Sequence, residues 1–304
     1  MIPYTIIKIT DDMTKRDSIF PQYDFHSKYF RYNNYVIHYL DEGKGNPMIL
    51  LHGNPTWSFL YRKMIPILAR KFRVIVPDLL GFGLSSKPKN SKFYTFENHF
   101  LAISALLDSL KLKNAIVVGQ DWGGLLLSFY AIKHTQQIKG IVLMNTYIPG
   151  MSLKIPFYFS FLFRSMYSRF LIQDIDLFRI LAFRFGFSTR IPKDVRKAYL
   201  YPHRKKEDRV SIVAFPKLIP SGKAHPTYEF LQEINREFAK WQAPKLFIFS
   251  DKDIVFKRRN SEALSHNLPH TTYLLIKNAG HYLQEDKGEE IAEHILSFFQ
   301  KSPN

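Results

Sequence analysis

The sequence predicts an α/β fold in which a mostly parallel sheet is flanked by helices and interrupted by a helical insertion. Three observations carry that reading. Short β-rich runs alternate with helical patterns, as in βα repeats around a parallel sheet. The runs are near-continuously apolar, as strands covered on both faces are. The alternation stops between residues 147 and 226 and then resumes.

Taken in order, the strand candidates are residues 47–52 (PMILLH), 72–77 (FRVIVP), 114–120 (NAIVVGQ), 139–145 (KGIVLMN), 245–250 (KLFIFS) and 272–276 (TYLLI). Helical spacing fills the gaps, as in residues 96–110, where Phe96, Phe100, Ile103 and Leu107 share a face. With 304 residues, 46% of them hydrophobic, and 27 Phe beside 17 Tyr, the chain can bury a large core. That excludes disordered, fibrous and small disulfide-stapled classes. The absence of cysteine excludes thiol catalysis, disulfides and cysteine-ligated metals, and is compatible with a reducing compartment.

The interrupted stretch holds no run that reads as a strand. Its aromatics, among them Phe157, Phe161, Tyr167, Phe178 and Phe183, fall in helical patterns. Residues 150–225 carry 15 Lys and Arg against 5 Asp and Glu, so more than half of the formal charge of +17 lies there. Such an insertion between two strands is most simply a cap over the carboxyl edge of the sheet, where open α/β sheets bind ligands. The expected division is 1–146 and 227–304 for the core, with 147–226 for the helical cap. The first 17 residues lack a basic stretch followed by a long apolar one, and the most apolar run, 155–163, is too short to span a bilayer. A soluble, cytoplasmic protein is expected.

The densest chemical signal is residues 117–124, VVGQDWGG, where an apolar strand enters Gly119-Gln120-Asp121-Trp122-Gly123 and an apolar helix follows. This is the glycine-flanked elbow that presents a nucleophile, here with aspartate where serine is usual. The plainer alternative is that Asp121 only caps the helix. The flanking glycines favour the elbow, because a Cβ at either would clash where strand and helix approach. A carboxylate that attacks saturated carbon forms an alkyl ester, which still has a carbonyl that water can attack. Serine would form an ether with no such exit. The substrates expected are therefore alkyl electrophiles, halides or epoxides.

An acid and then a histidine should follow the nucleophile in chain order. His281, in Asn278-Ala279-Gly280-His281, sits at the carboxyl end of one strand candidate, placed as a general base for water. Asp253, in Ser250-Asp251-Lys252-Asp253, sits at the end of another, and spacing favours it over Asp251 for orienting the imidazole. In His52-Gly53-Asn54-Pro55, the Asn54 backbone N–H could join that of Trp122 in an oxyanion hole. The Asn54 amide and Trp122 indole are also uncharged donors suited to a departing halide.

Residues 52–66 (HGNPTWSFLYRKMIP), 77–88 (PDLLGFGLSSKP), 117–124 and 278–285 (NAGHYLQE) resemble the haloalkane dehalogenase family of α/β hydrolases. Weaker similarity runs from about residue 23 to 299, with the cap matched only by position. The resemblance implies the α/β-hydrolase fold, Asp121 as nucleophile, His281 as base, and Asn54 with Trp122 as halide ligands. One subgroup carries a glutamate where this chain has Asn145, so Asp253 is implied as the acid. The cap has no tryptophan to serve as a second halide ligand: the three are Trp57, which reads as helix packing, Trp122 and Trp241. That departure points to a smaller subgroup with an Asp-His-Asp triad and an Asn54–Trp122 halide pair.

The expected reaction is hydrolysis of a small apolar haloalkane to alcohol, halide and a proton through an alkyl-aspartate ester, with no cofactor or metal. Epoxide hydrolases share the elbow but use two cap tyrosines, for which Tyr158, Tyr167, Tyr199 and Tyr201 are available. Asn54 argues against them, since they carry a ring there. A third reading makes the basic cap, with Arg164, Arg169, Arg179, Arg184, Arg190, Arg196, Arg204 and Arg209, a binding surface for anionic partners. No nucleic-acid motif accompanies the charge, so nucleic acid is not expected, while weak association with anionic surfaces is. Oligomeric state is not legible.

Overall fold

In the computed structural model of the protein, which describes residues 20–151, 163, 165–256 and 258–301, eight strands form one sheet. They are β1 (Ser27–Tyr32), β2 (Tyr35–Glu42), β3 (Asn46–Leu51), β4 (Phe72–Pro77), β5 (Ala115–Gln120), β6 (Ile138–Met144), β7 (Lys245–Ser250) and β8 (Thr271–Ile276). Their spatial order is β1-β2-β4-β3-β5-β6-β7-β8. Strands β3 to β8 run parallel, and all six correspond to runs read from the sequence. The antiparallel pair β1 and β2, which extends the sheet at one edge, was not anticipated. Its strands interleave buried and partly buried residues, and its turn is formed by Asn33, at φ 52°, and Asn34 rather than by a glycine pair.

Successive side chains of β3 enter opposite layers. Ile49 and Leu51 meet helices Phe96–Ser109, Trp122–Lys133 and Pro226–Phe238, while Met48 and Leu50 meet residues 57–68 and helix Leu283–Lys301. Both faces are therefore covered, which is why the parallel strands read as unbroken apolar runs. The Thr95 hydroxyl oxygen caps helix Phe96–Ser109 by accepting from the Asn98 N–H at 3.1 Å.

Between β6 and β7 the described residues form no strand. They form helices Leu177–Phe185, Lys193–Leu200 and Val210–Ala214 with short turns between them. Phe157, Tyr158, Phe161, Arg164 and all of the apolar run except Phe163 lie outside the described residues. Phe178 packs edge-on against Phe163, and Phe183 packs beside Tyr199. Helix Pro226–Phe238 starts one residue before the expected boundary and lies on helix Trp122–Lys133, with Lys133 paired to Glu233. Arg179 departs from the expected basic surface. It is buried, with its guanidinium bound to Asp176 and to the Leu200 and His203 carbonyls.

Two acids fasten this segment to the core. Arg62 donates to both oxygens of buried Glu285, at 2.5 and 2.8 Å, and the Tyr199 hydroxyl donates to the same carboxylate at 2.6 Å. Asp286 accepts from the Gly280 N–H at 2.8 Å and from the Ser188 and Thr189 N–H groups at 2.9 and 3.0 Å.

Glu285→Ala would strand the Arg62 charge in the interior, so a loss of about 3–5 kcal/mol in urea-unfolding stability is expected. Tyr199→Phe, which leaves the ion pair intact, should cost only about 1 kcal/mol. Equal losses would show that the ion pair is not the dominant tie.

Candidate active site

Strand β5 passes into helix Trp122–Lys133 through a single residue. Asp121 takes φ 52° and ψ −125°, a region that side-chain-bearing residues rarely occupy. The turn is possible because its neighbours lack side chains. A Cβ on Gly119 would lie 2.5 Å from the Gly124 Cα, and one on Gly123 would overlap the Leu51 carbonyl oxygen. The Asp121 backbone is fixed on both sides, its N–H donating to the Asn145 carbonyl at 3.2 Å and its carbonyl accepting from the Thr146 hydroxyl at 2.5 Å.

The Asp121 carboxylate meets two backbone donors. Oδ1 accepts from the Asn54 N–H at 2.9 Å, and the Trp122 N–H also bonds the carboxyl group. On its other side, Oδ2 lies 3.8 Å from Nε2 of His281. Burial pushes the Asp121 carboxyl above its ordinary pKa, against the opposing pull of His281 and the two N–H donors.

His281 stands beyond β8, between its two carboxylates. Its Nδ1 is 3.1 Å from Asp253 Oδ2 and 3.2 Å from Oδ1, which leaves Nε2 directed at Asp121. Asp251 does other work: its Oδ1 accepts from the Ala279 N–H at 3.3 Å. Burial alone would lower the imidazole pKa, but the charge and hydrogen bond of Asp253, with the charge of Asp121, hold it above its ordinary value. Asn145 lies away from Nδ1. Its amide nitrogen donates to Ser250 Oγ and to the Gly280 and His281 carbonyls, at 2.8, 3.0 and 3.1 Å.

Sequence reasoning missed Gln120. Fully buried at the end of β5, it places its amide nitrogen 3.1 Å from His281 Nε2 and 3.3 Å from the His281 carbonyl. Its position beside the nucleophile was the only signal available. An amide donor on Nε2 favours the neutral imidazole with its proton on Nδ1, the tautomer that Asp253 also selects.

Asn54 and Trp122, expected as halide ligands, are both buried, and their backbone N–H groups bond the Asp121 carboxylate. The Trp122 ring lies edge-on to Phe215, and Phe256 stacks with the His281 ring. Trp57 is fully buried and stacked on Phe59, as packing requires. The Tyr199 hydroxyl is taken by Glu285, and Tyr167 is more than half exposed. A surface cavity of about 480 Å³, between residues 83–89 and 201–208, includes none of the site residues.

An acidic residue on a glycine-flanked strand-to-helix turn, faced by a histidine from a later strand end, belongs to the α/β hydrolases. The family described as the alpha/beta hydrolase fold matches residues 46–288, so the chain is a member of it. Curated relatives narrow the assignment. A haloalkane dehalogenase of Psychrobacter cryohalolentis is 33% identical over 309 residues, covering 98% of this chain and 100% of the relative. A cis-3-alkyl-4-alkyloxetan-2-one decarboxylase of Shewanella oneidensis is 30% identical over 293 residues, covering 94% of this chain and 91% of the relative. A crystal structure of a haloalkane dehalogenase loop variant from Bradyrhizobium elkanii shares the fold, with a TM-score of 0.84 at 24% identity over 91% of this chain and 97% of that one. The chain belongs to the haloalkane dehalogenase family.

Gln120→Ala removes the donor that favours neutral imidazole, so the His281 pKa is expected to rise further. Titration of the ring by NMR measures this, and an unchanged or lowered pKa would contradict the reading of that contact.

Proposed function

We propose that the protein hydrolyses small apolar haloalkanes to alcohol, halide and a proton. Asp121 attacks carbon, His281 activates water, Asp253 orients His281, and residues 147–226 cover the site. The observation that carries the reading is the line of three groups, with His281 Nδ1 against Asp253 and Nε2 facing Asp121 at 3.8 Å. In the resting enzyme the Asn54 and Trp122 N–H groups steady the carboxylate, Asn54 through Oδ1, and Oδ2, on the His281 side, is the oxygen proposed to attack in line. Halide departs as the ester forms, and the Asn54 amide and Trp122 indole receive it. The same N–H groups then hold the oxyanion when water, deprotonated by His281, adds to the ester carbonyl. The acyl–oxygen bond breaks and returns Asp121 with one oxygen from water. Tyr199, bound to Glu285, and Tyr167, more than half exposed, are poorly placed as the paired donors of an epoxide hydrolase, and Asn54 stands where those enzymes carry a ring.

The Shewanella relative supports a second reading. Asp121 could open a dialkyl oxetan-2-one by attacking its saturated ring carbon, with the ring oxygen leaving as a carboxylate. Loss of CO₂ would then supply the electron pair of an alkene and expel Asp121. That sequence consumes no water and does not need His281 as a base.

The deciding experiment measures bromide release from short bromoalkanes, and CO₂ with alkene from a cis-dialkyl oxetan-2-one. It compares wild type, Asp121→Asn and His281→Phe. Hydrolytic dehalogenation predicts that Asp121→Asn loses about 10⁴-fold or more. It also predicts that His281→Phe releases one bromide per protein and gains the alkyl mass by intact mass spectrometry. Alkene formation that survives in His281→Phe, with no bromide from any protein, would establish the second reading instead.

Wild-type turnover should fall as pH drops, because only neutral His281 accepts the water proton. Since its pKa is raised, the acid limb is expected above the ordinary imidazole value of about 6.5. A limb well below that value would remove His281 from the base role.

A further inference from the structure

Helix Leu177–Phe185 carries apolar side chains on its outer face as well as its inner one. Its buried residues are Arg179 and Phe183, while Ile180, Leu181, Arg184 and Phe185 face outward. Residues 180 and 184, like 181 and 185, are four apart and share one side of the helix. The preceding turns repeat the pattern, since Met166, Tyr167 and Phe170 are 86, 57 and 56% exposed around buried Ser168 and Ile172. The turn Phe170–Asp174 packs against the helix, which brings the two exposed sets onto neighbouring segments. Contiguous apolar surface of this kind marks an interaction site.

Charge selects the partner. Neither residues 163–173 nor helix Leu177–Phe185 contains an acid, and both carry exposed arginine, Arg169 and Arg184. The nearest acids are already paired, Asp174 with Lys206 at 3.7 Å and Asp176 with Arg179. The surrounding stretch, 150–225, has the threefold excess of cations noted above. A two-fold dimer through this face would set like charges against each other. A nucleic acid could stack on the aromatic rings but would gain nothing from burying Met166, Ile180 and Leu181. A bilayer bearing anionic lipid satisfies both features, taking the apolar groups into its interface and the cations against its phosphates.

We propose that the ridge formed by Met166, Tyr167, Phe170, Ile180, Leu181 and Phe185, flanked by Arg169 and Arg184, seats the protein on an anionic bilayer surface. Such seating would place the segment over the proposed site at the phase into which apolar substrates partition. The proposal stands independently of the chemistry assigned to Asp121.

The test is co-sedimentation of the full chain with vesicles of phosphatidylcholine alone or mixed with phosphatidylglycerol, at low and high salt. Binding is expected only to the mixed vesicles, weakening as salt rises. Phe170→Asp with Phe185→Asp should lower the affinity by about tenfold or more. Both positions are more than half exposed, so thermal melting and halide release in free solution should be unchanged. Arg169→Glu with Arg184→Glu should weaken binding to mixed vesicles by a similar factor. Failure to bind mixed vesicles overturns the proposal, as does binding that the aromatic substitutions leave intact. A lipid-free dimer that those substitutions dissociate would overturn it too, by giving the ridge a different occupant.

Discussion

The turn at Asp121 is the constraint from which the site follows. Strand β5 must become helix Trp122–Lys133 within one residue, and no ordinary backbone conformation does this. The left-handed torsion at Asp121 costs on the order of 1–3 kcal/mol. Burial of β5 between covered faces, the Asn145 and Thr146 hydrogen bonds and three glycines that permit close approach hold it in place. In return, the carboxylate stands clear of the sheet edge with a helix N-terminus behind it. Every other site group is arranged around that fixed point.

Electrostatics then divides the labour between the two acids near His281. Asp253 lies within hydrogen-bonding distance of Nδ1, whereas Asp121 stands farther off, facing Nε2. The 3.8 Å separation on the Asp121 side is the longer of the two, and under the proposed hydrolysis it is the side on which the ester forms. In the proposed hydrolysis the Asp253 charge, which helps raise the His281 pKa, would stabilise the imidazolium formed when water is deprotonated, because Asp121 is by then an uncharged ester. Gln120 works in the opposite sense, engaging the lone pair that water must use, so the resting base is held ready in one tautomer.

The loop that carries His281 depends on the inserted segment for its position. Gly280 is held by Asp286, which also binds Ser188 and Thr189, and the Tyr282 N–H donates to the Gly186 carbonyl at 3.1 Å. Glu285 binds Tyr199 from the same segment. The insertion thus braces the base from behind while its helix Leu177–Phe185 turns aliphatic side chains to the outside. Phe178 and Phe183 pack inward, so the outward Ile180, Leu181 and Phe185 are surplus to that packing.

The sequence by itself determined the six parallel strands, the strand-to-helix turn at Asp121 and the chain order of Asp121, Asp253 and His281. Those features are local: a strand buried on both faces reads as an apolar run, and a glycine-flanked aspartate between strand and helix has few other uses. Tertiary structure decided what depends on distant segments meeting. The antiparallel edge of β1 and β2 was hidden because its strands mix charged and polar residues with apolar ones, half of them only partly buried or exposed. Arg179 reads as surface charge and is buried, because Asp176 and two carbonyls far along the chain converge on it. Spacing favoured Asp253 over Asp251, two residues earlier, but the reason is tertiary: the folded loop turns one carboxylate to Nδ1 and the other to the Ala279 N–H. Gln120 acquired a function only when His281, 161 residues away, arrived within 3.1 Å of its amide. A sequence shows which groups are present and in what order, but hydrogen bonds and pKa values depend on separations of a few ångströms that only the folded chain sets.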